Sequence, residues 1–268
     1  MSKPESYLME SSDESVRLEE KTDAEAVRAR LGLVGLSAGM RALDAGAGTG
    51  AIARVMAELV GPKGSVVAFD ASEERLAHGR KVAAERGVTN LEFVRGDLYA
   101  PELPAASFDF VWCEFVFEYL ADPDKVLAHL VRLVRPGGKL VVGDLDGNGL
   151  FHDPMTPEFE RDMEELRHAL TGSFDALAGR RLFSRFRKAG LDGMKVHAQP
   201  YHLYPGAAPD QEMSNWETKF KTLRPRGVRA LGEARYDRFA KQFLELLRSP
   251  DALTYSVLFL VEWQRPNG

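Results

Sequence analysis

The chain has 268 residues, 44% hydrophobic and 28% charged, with a formal net charge of −5. That supplies one full α/β core, while the acidic balance argues against nucleic acid as a partner, since its binders carry basic faces. Cys113 is the single cysteine, so no intrachain disulfide forms, a reducing compartment is compatible, and a buried small hydrophobe is the expected role. No apolar run approaches the ~20 residues needed to cross a bilayer, and the N-terminus lacks a signal-type apolar core. A cytoplasmic protein without a membrane partner is expected, as monomer or homodimer.

Residues 1–14 are polar. A helical pattern follows from Glu14 to Leu31, with Val16, Ala24, Val27 and Leu31 on the inward row. Residues 41–50 read Arg-Ala-Leu-Asp-Ala-Gly-Ala-Gly-Thr-Gly, a short apolar strand, an acid and a glycine turn. The next ten residues have apolar positions at helical spacing. Glycines let the backbone turn sharply and let a ligand approach without a Cβ in the way. Such turns lie at the carboxyl ends of parallel strands, where open α/β sheets bind nucleotides.

Gly46-Ala-Gly48-Thr-Gly50-Ala51 also fits the dinucleotide pattern, so an NAD-dependent oxidoreductase is one alternative. Asp44, two residues before Gly46, favours a ligand with a cationic centre over a pyrophosphate. Further strands are predicted at 65–70, 91–95, 108–113 and 139–144. Helices are predicted at 51–60, 73–86 and 123–134, the last starting at Asp122-Pro123. Strands ending in Asp70 and Asp97 place acceptors where ribose hydroxyls and an adenine amino group can donate.

The alternation predicts a doubly wound, Rossmann-like α/β sheet. Beyond Asp144 come helices at 156–170 and 177–189, a strand at 194–203 and a last strand at 255–264. Helices at 215–223 and 228–248 fill the gap between those two strands. A connection of that length with its own helices reads as a lid or partner surface.

Five pieces in order resemble the class I S-adenosylmethionine (SAM)-dependent methyltransferases of small-molecule type. They are Leu43-Asp-Ala-Gly-Ala-Gly-Thr-Gly50, Ala68-Phe-Asp70, Gly96-Asp97-Leu98, Phe108-Asp-Phe-Val-Trp-Cys-Glu114 and Leu133-Val-Arg-Pro-Gly-Gly-Lys-Leu140. The resemblance covers residues 40–145 or so. It implies seven strands, mostly parallel with an antiparallel last strand in a hairpin with the sixth; the helical insertion between these two is this chain's main departure from the family's minimal fold. With that insertion read as a lid, the chain is expected to form one methyltransferase domain: a cap (1–35), a SAM-binding core (36–145), helices and the sixth strand (146–204), a helical lid (205–250) and the last strand (251–268).

The resemblance further implies roles for particular residues. Gly46 and Gly48 pass beside the methionyl part, and Asp44 orients the turn or meets the ligand ammonium through water. Asp70, with Ala71 beside it, takes the ribose; Asp97 and the Leu98 amide face the adenine. Glu114 and Phe115 stand at the cleft. Arg17, in a leader similar to that of some small-molecule members, offers a planar fork for the SAM carboxylate. His152, after the fifth strand, is the candidate base. Asp146, Tyr201, Tyr204, Trp216 and Phe220 are candidates for the acceptor pocket, with His202 between the two tyrosines; no metal is expected. Competing readings are a non-catalytic SAM-binding or scaffold protein and a protein or RNA methyltransferase.

Overall fold

The structure is a computed structural model that describes residues 18–19 and 22–267, with 148–150 as backbone. Helix α1 (Ala24–Leu33) is capped by the Asp23 carboxylate, which accepts from two backbone N–H groups of its first turn. Val27 and Leu31 are buried as expected, but Ala24 is exposed and Arg30 is buried. Arg30 lies three residues after Val27, on the same helical face. Val16 and Arg17 lie outside the described residues.

Strand β1 (Arg41–Ala45) runs into α2 (Ala51–Val60), β2 (Ser65–Asp70) into α3 (Glu73–Glu85), and β3 (Leu91–Arg95) is followed by β4 (Phe108–Glu114) and α4 (Pro123–Leu133). These match the predicted spans to within a residue. After them come β5 (Val134–Asp153), α5 (Pro157–Ala169), α6 (Ala178–Lys188), β6 (Lys195–Pro200), β7 (Tyr204–Pro205), α7 (Asp210–Leu231), α8 (Glu233–Arg248) and β8 (Leu253–Gln264).

The sheet order is β3-β2-β1-β4-β5-β8-β6, with β7 also on β8. Pairs from β3 to β5 are parallel, while β8 runs antiparallel to β5, β6 and β7. The sheet therefore has eight strands rather than seven. The extra one is the two-residue β7, formed where the chain leaves β6 and rejoins the far end of β8. Apolar clusters fill both faces of the sheet. One joins β4, β5, α4 and α6 through Phe108, Leu140, Leu130 and Phe186; the other joins β1, β4, α1 and α2 through Ala42, Trp112, Leu31 and Met56.

Two departures from expectation lie beyond Asp144. Strand β5 does not stop there: it follows β8 from Lys139↔Gln264 to Asp153↔Leu253, with a register shift between Asp146 and Phe151. The predicted break between 223 and 228 is absent, because α7 runs through Pro225. An interior proline costs about 3 kcal/mol, and packing offsets it here. The Tyr236 ring lies where a Cβ on Gly227 would fall, at 2.0 Å, and its hydroxyl donates to the Phe220 carbonyl at 2.6 Å. The chain turns instead at Gly232, φ +79°, a left-handed conformation that glycine adopts without strain. A third cluster, around Phe159, Trp216, Phe239 and Phe243, joins α5, α7 and α8.

Candidate functional site

In a parallel sheet the carboxyl ends of the strands share one edge. Here that edge carries Asp44, Asp70 and Glu114, with the glycine turn between β1 and α2. Gly46 and Ala47 N–H groups both donate to the Phe69 carbonyl, at 2.8 and 3.0 Å, which clamps the turn to β2. The Gly48 N–H donates to Asp70 Oδ2 at 2.8 Å, and Ser72 N–H to Oδ1 at 2.9 Å. Gly46 and Gly48 have φ of +81° and +55°. A Cβ at Gly46 would lie 2.4 Å from Val116 Cγ2, so this turn requires glycine.

Above this edge lies a cavity of about 990 Å³, at the upper end of ligand pockets, roughly 300–1,000 Å³. One side is lined by Gly46, Gly48, Asp70, Ala71, Asp97 and Leu98. Glu114 and Phe115 line the middle, and Tyr201, His202 and Tyr204 the far side. Phe115 is left-handed, φ +59°, with its N–H on the Gly143 carbonyl at 3.0 Å. A bulky residue there is strained, and it turns the chain out of β4 at the cavity.

The electrostatics are dominated by carboxylates with few cations. Arg30 reaches from α1 to Glu114, Nε–Oε1 2.9 Å and Nη2–Oε2 3.3 Å, with side-chain exposures of 9% and 0%. Asp44 lies beneath the turn and not on the cavity wall. Burial first, then the charges of Glu114 and Asp70, push its carboxyl up to about 8. Burial and the charge of Glu118 likewise hold Asp144 well above the usual carboxylate range. Cys113 is fully buried and its thiol is pushed up by burial.

Four expected pocket residues lie elsewhere. His152 is 4% exposed, with Nδ1 2.8 Å from Thr254 Oγ1 and its ring edge-on to Phe243 at 4.7 Å. The register explains this: Asp144 faces Phe259 and His152 faces Thr254. His152 therefore stands five residues further along β8, about 16 Å at ~3.3 Å per residue. Asp146 is held by Arg180, Nε–Oδ1 2.5 Å and Nη2–Oδ2 3.0 Å. Trp216 packs on Phe243 at 4.5 Å, and Phe220 on Phe243 at 5.0 Å. Both serve the third core, and in the insertion it is Glu212 of α7 that reaches the cavity among the described residues.

Sequence reasoning missed Arg30, Glu118 and Glu212, all of which line the cavity. Arg30 was legible from its spacing to Val27. Glu118 had no such signal: it follows β4 in a 3₁₀ turn, Phe117–Tyr119, whose Glu118 N–H donates to Asp144 Oδ2 at 2.9 Å.

The donor set suits SAM. Asp70 and Asp97 offer acceptors on the wall, the glycine turn leaves room where a Cβ would intrude, and buried carboxylates favour a ligand with a positive centre. A protein-family model described as a methyltransferase domain matches residues 36–213. The ubiquinone/menaquinone biosynthesis C-methyltransferase UbiE of Pseudomonas putida is 39% identical over 111 residues, 41% of this chain and 43% of that protein. The chain thus spans less than half the length of this curated relative. Among solved structures, a SAM-dependent methyltransferase from Aquifex aeolicus has a TM-score of 0.53 at 24% identity, covering 70% of this chain and 90% of that one. The [4+2]-cyclase SpnF has a TM-score of 0.57 at 18% identity, covering 91% and 81%. These two likenesses concern the fold. Among the described residues, no helix is long and apolar enough to cross a membrane. The family match over most of the sheet, the strand-end acids and the glycine turn agree, and the chain belongs to the class I SAM-dependent methyltransferases.

Proposed function

We propose that the protein transfers the methyl group of SAM to a small-molecule acceptor that enters between the ends of β4 and β6 and the start of α7. The observation carrying this is the cavity itself, with the glycine turn and Asp70 on one side and Tyr201, His202 and Tyr204 on the other. In this reading Asp70 accepts from the ribose hydroxyls, Asp97 and the Leu98 amide meet the adenine, and Gly46 and Gly48 flank the methionyl part. Arg17 remains the proposed partner of the carboxylate. When bound, SAM supplies a methyl already activated by positive sulfur.

The chain's own residues then orient the acceptor and exclude water. His202 replaces His152 as the proposed proton acceptor. It is 5% exposed, lines the cavity, and has Nδ1 2.9 Å from Ser256 Oγ. The hydrogen bond fixes the ring on the wall, which a base needs before its basicity matters. An acid-rich lining disfavours RNA phosphates.

Calorimetry with SAM, paired with transfer of labelled methyl from SAM to a panel of phenols, amines and carboxylic acids, tests this reading. Binding with transfer to a small molecule is expected. Absence of SAM binding would overturn it.

A further inference from the structure

The two faces of β8 are covered unequally. Thr254, Ser256 and Leu258 are buried, while Leu253 and Tyr255 are exposed and Val257 and Phe259 half-buried. The pleat puts the odd-numbered positions on one face. On that face Val261 and Trp263 join the same core as Leu182 and Phe186 of α6, so α6 covers only the carboxyl end of the strand.

The neighbouring strands extend the open part, since directly paired residues share a face. In β6, Val196 pairs with Val261, Ala198 with Phe259 and Pro200 with Val257, and all three β6 residues are exposed. In β5, Phe151 pairs with Tyr255 and the two rings stack at 5.2 Å. Phe183 borders the face. Arg185 of α6 reaches Asp124 of α4 at 2.6 Å, and Phe183 stands roughly 200° round the helix from it, on the flank toward β8. Val196, Leu253, Tyr255 and Phe183 are 45%, 37%, 37% and 47% exposed, four of the six exposed large hydrophobics among the described residues. Single exposed apolar residues are ordinary, but a contiguous face marks an interface.

The charges around this face suit a second copy of the chain. Arg180 and Arg187 lie three and four residues from Phe183, on the same flank. They are matched by Asp146 and Asp192, which leaves no broad positive field for an anionic lipid surface. Asp153 pairs with Leu253 at one end of the face. Lys188 closes α6, and only residues 189–194 separate it from β6, so it stands at the other end, with Val196. A two-fold axis through the middle of β8 sets each acidic end against the other copy's basic end, which is the self-complementarity an isologous contact needs. At the roughly 30–40 Å² per residue of a standard interface, the apolar residues here supply about 300 Å² per copy. The flank of α6 and the outer edge of β6, the last strand in the sheet order, border them as the rim needed to reach the ~500 Å² per copy of a small specific interface.

We propose that two copies of the chain dock through this face of β8 and β6 about a two-fold axis, with Asp153 of each against Lys188 of the other. The cavity stays outside the contact, because His202 hangs from Ser256 and Tyr204 pairs with Thr254, both on the opposite face.

Sedimentation velocity of the full chain, from micromolar to submillimolar concentration, tests this. A monomer–dimer equilibrium in the micromolar range is expected. Val196→Glu and Tyr255→Glu, made separately, each bring like charges together across the axis and should weaken association about tenfold or more. Affinity for S-adenosylhomocysteine should stay within about twofold. Lys188→Glu should also weaken association, and adding Asp153→Lys should restore it. Leu33→Glu, at an exposed apolar position on α1, should change nothing. A monomer at every concentration, association unchanged in the folded Val196 and Tyr255 variants, an equal loss in Leu33→Glu, or no restoration by the charge swap would overturn the proposal. So would a monomer that co-sediments with phosphatidylcholine–phosphatidylserine vesicles, which would assign the face to a lipid surface. Failure of S-adenosylhomocysteine to bind would count against the methyltransferase reading and not against the dimer.

Discussion

Strand β8 holds two histidines by similar means, and their fates differ. Ser256 Oγ holds His202 Nδ1, and Thr254 Oγ1 holds His152 Nδ1. The two hydroxyl residues are two apart on the strand and so share a face. Yet His202 lines the cavity, while His152 lies among Phe159 and Phe243. The same contrast divides the edge of β1, β2 and β4 from the layer of α5, α7 and α8. At the edge, strand ends project polar groups into open space. In the layer, helices turn aromatic groups toward one another. A polar or aromatic side chain gains a function from the edge it reaches and not from its chemistry alone.

The comparison can be broken most forcefully in the aromatic layer. Phe243 is 1% exposed and contacts Trp216, Phe220 and His152. Phe243→Ala should cost about 3–5 kcal/mol of stability, with SAM affinity nearly intact in the folded protein. Denaturant unfolding and calorimetry measure the two separately. A loss of SAM affinity without a loss of stability would place this layer in the site.

Next in size is the Arg30–Glu114 pair, which fastens α1 to the end of β4. Arg30→Met takes the Arg30 guanidinium away from the buried Glu114 carboxylate, and removing one partner of a buried pair costs about 3–5 kcal/mol. Adding Glu114→Gln should recover a large part of that loss. A double-mutant cycle reads the coupling; additive losses would mean the two side chains act independently.

Asp70 distinguishes the edge by ligand rather than by fold. Asp70→Ala removes a wall carboxylate that also holds the Gly48 and Ser72 amides. SAM binding should weaken by about 1–3 kcal/mol, roughly five- to 150-fold. Unchanged affinity in calorimetry would sink the assignment of the β2 end.

How much of this was readable in the sequence follows the same division. Strands β1 and β2 and the turn at Gly46 to Gly50 were legible because each is a local pattern: an apolar run, an acid, then glycines. The acids at 70, 97 and 114 inherited their placement from parallel topology. Beyond Asp144 local pattern stopped deciding. His152 looked like a loop residue at the cleft, but β5 continued because β8 offered a partner for its backbone. Two helices were expected, at 215–223 and 228–248, yet the first runs on through Pro225, with Tyr236 packed against Gly227. Trp216 and Phe220 had the right spacing for one face, but which layer that face meets is a tertiary fact. Glu118 was hidden for the same reason, since its burial depends on Asp144, 26 residues later.

The last expected effect lies in pH dependence, and it separates the edge from the aromatic layer. Asp44 titrates near 3.8 in an unfolded chain, and burial with the charges of Glu114 and Asp70 pushes it up to about 8 in the fold. Between these values the folded state binds more protons than the unfolded one, so stability falls as pH rises through the window. Asp44→Asn removes that proton exchange while keeping the shape. Thermal unfolding should give similar Tm values for the two proteins near the bottom of the window. The wild type should then lose ground steadily, leaving the variant more stable above about pH 8. Asp144 has the same sign but is present in both proteins, so it cancels in the difference. Phe243→Ala should lower Tm by a similar amount at every pH, because no titrating group is removed. Parallel Tm curves for wild type and Asp44→Asn across the window would mean that Asp44 is already ionised under the glycine turn. The buried charge at this edge would then be balanced by something other than a proton.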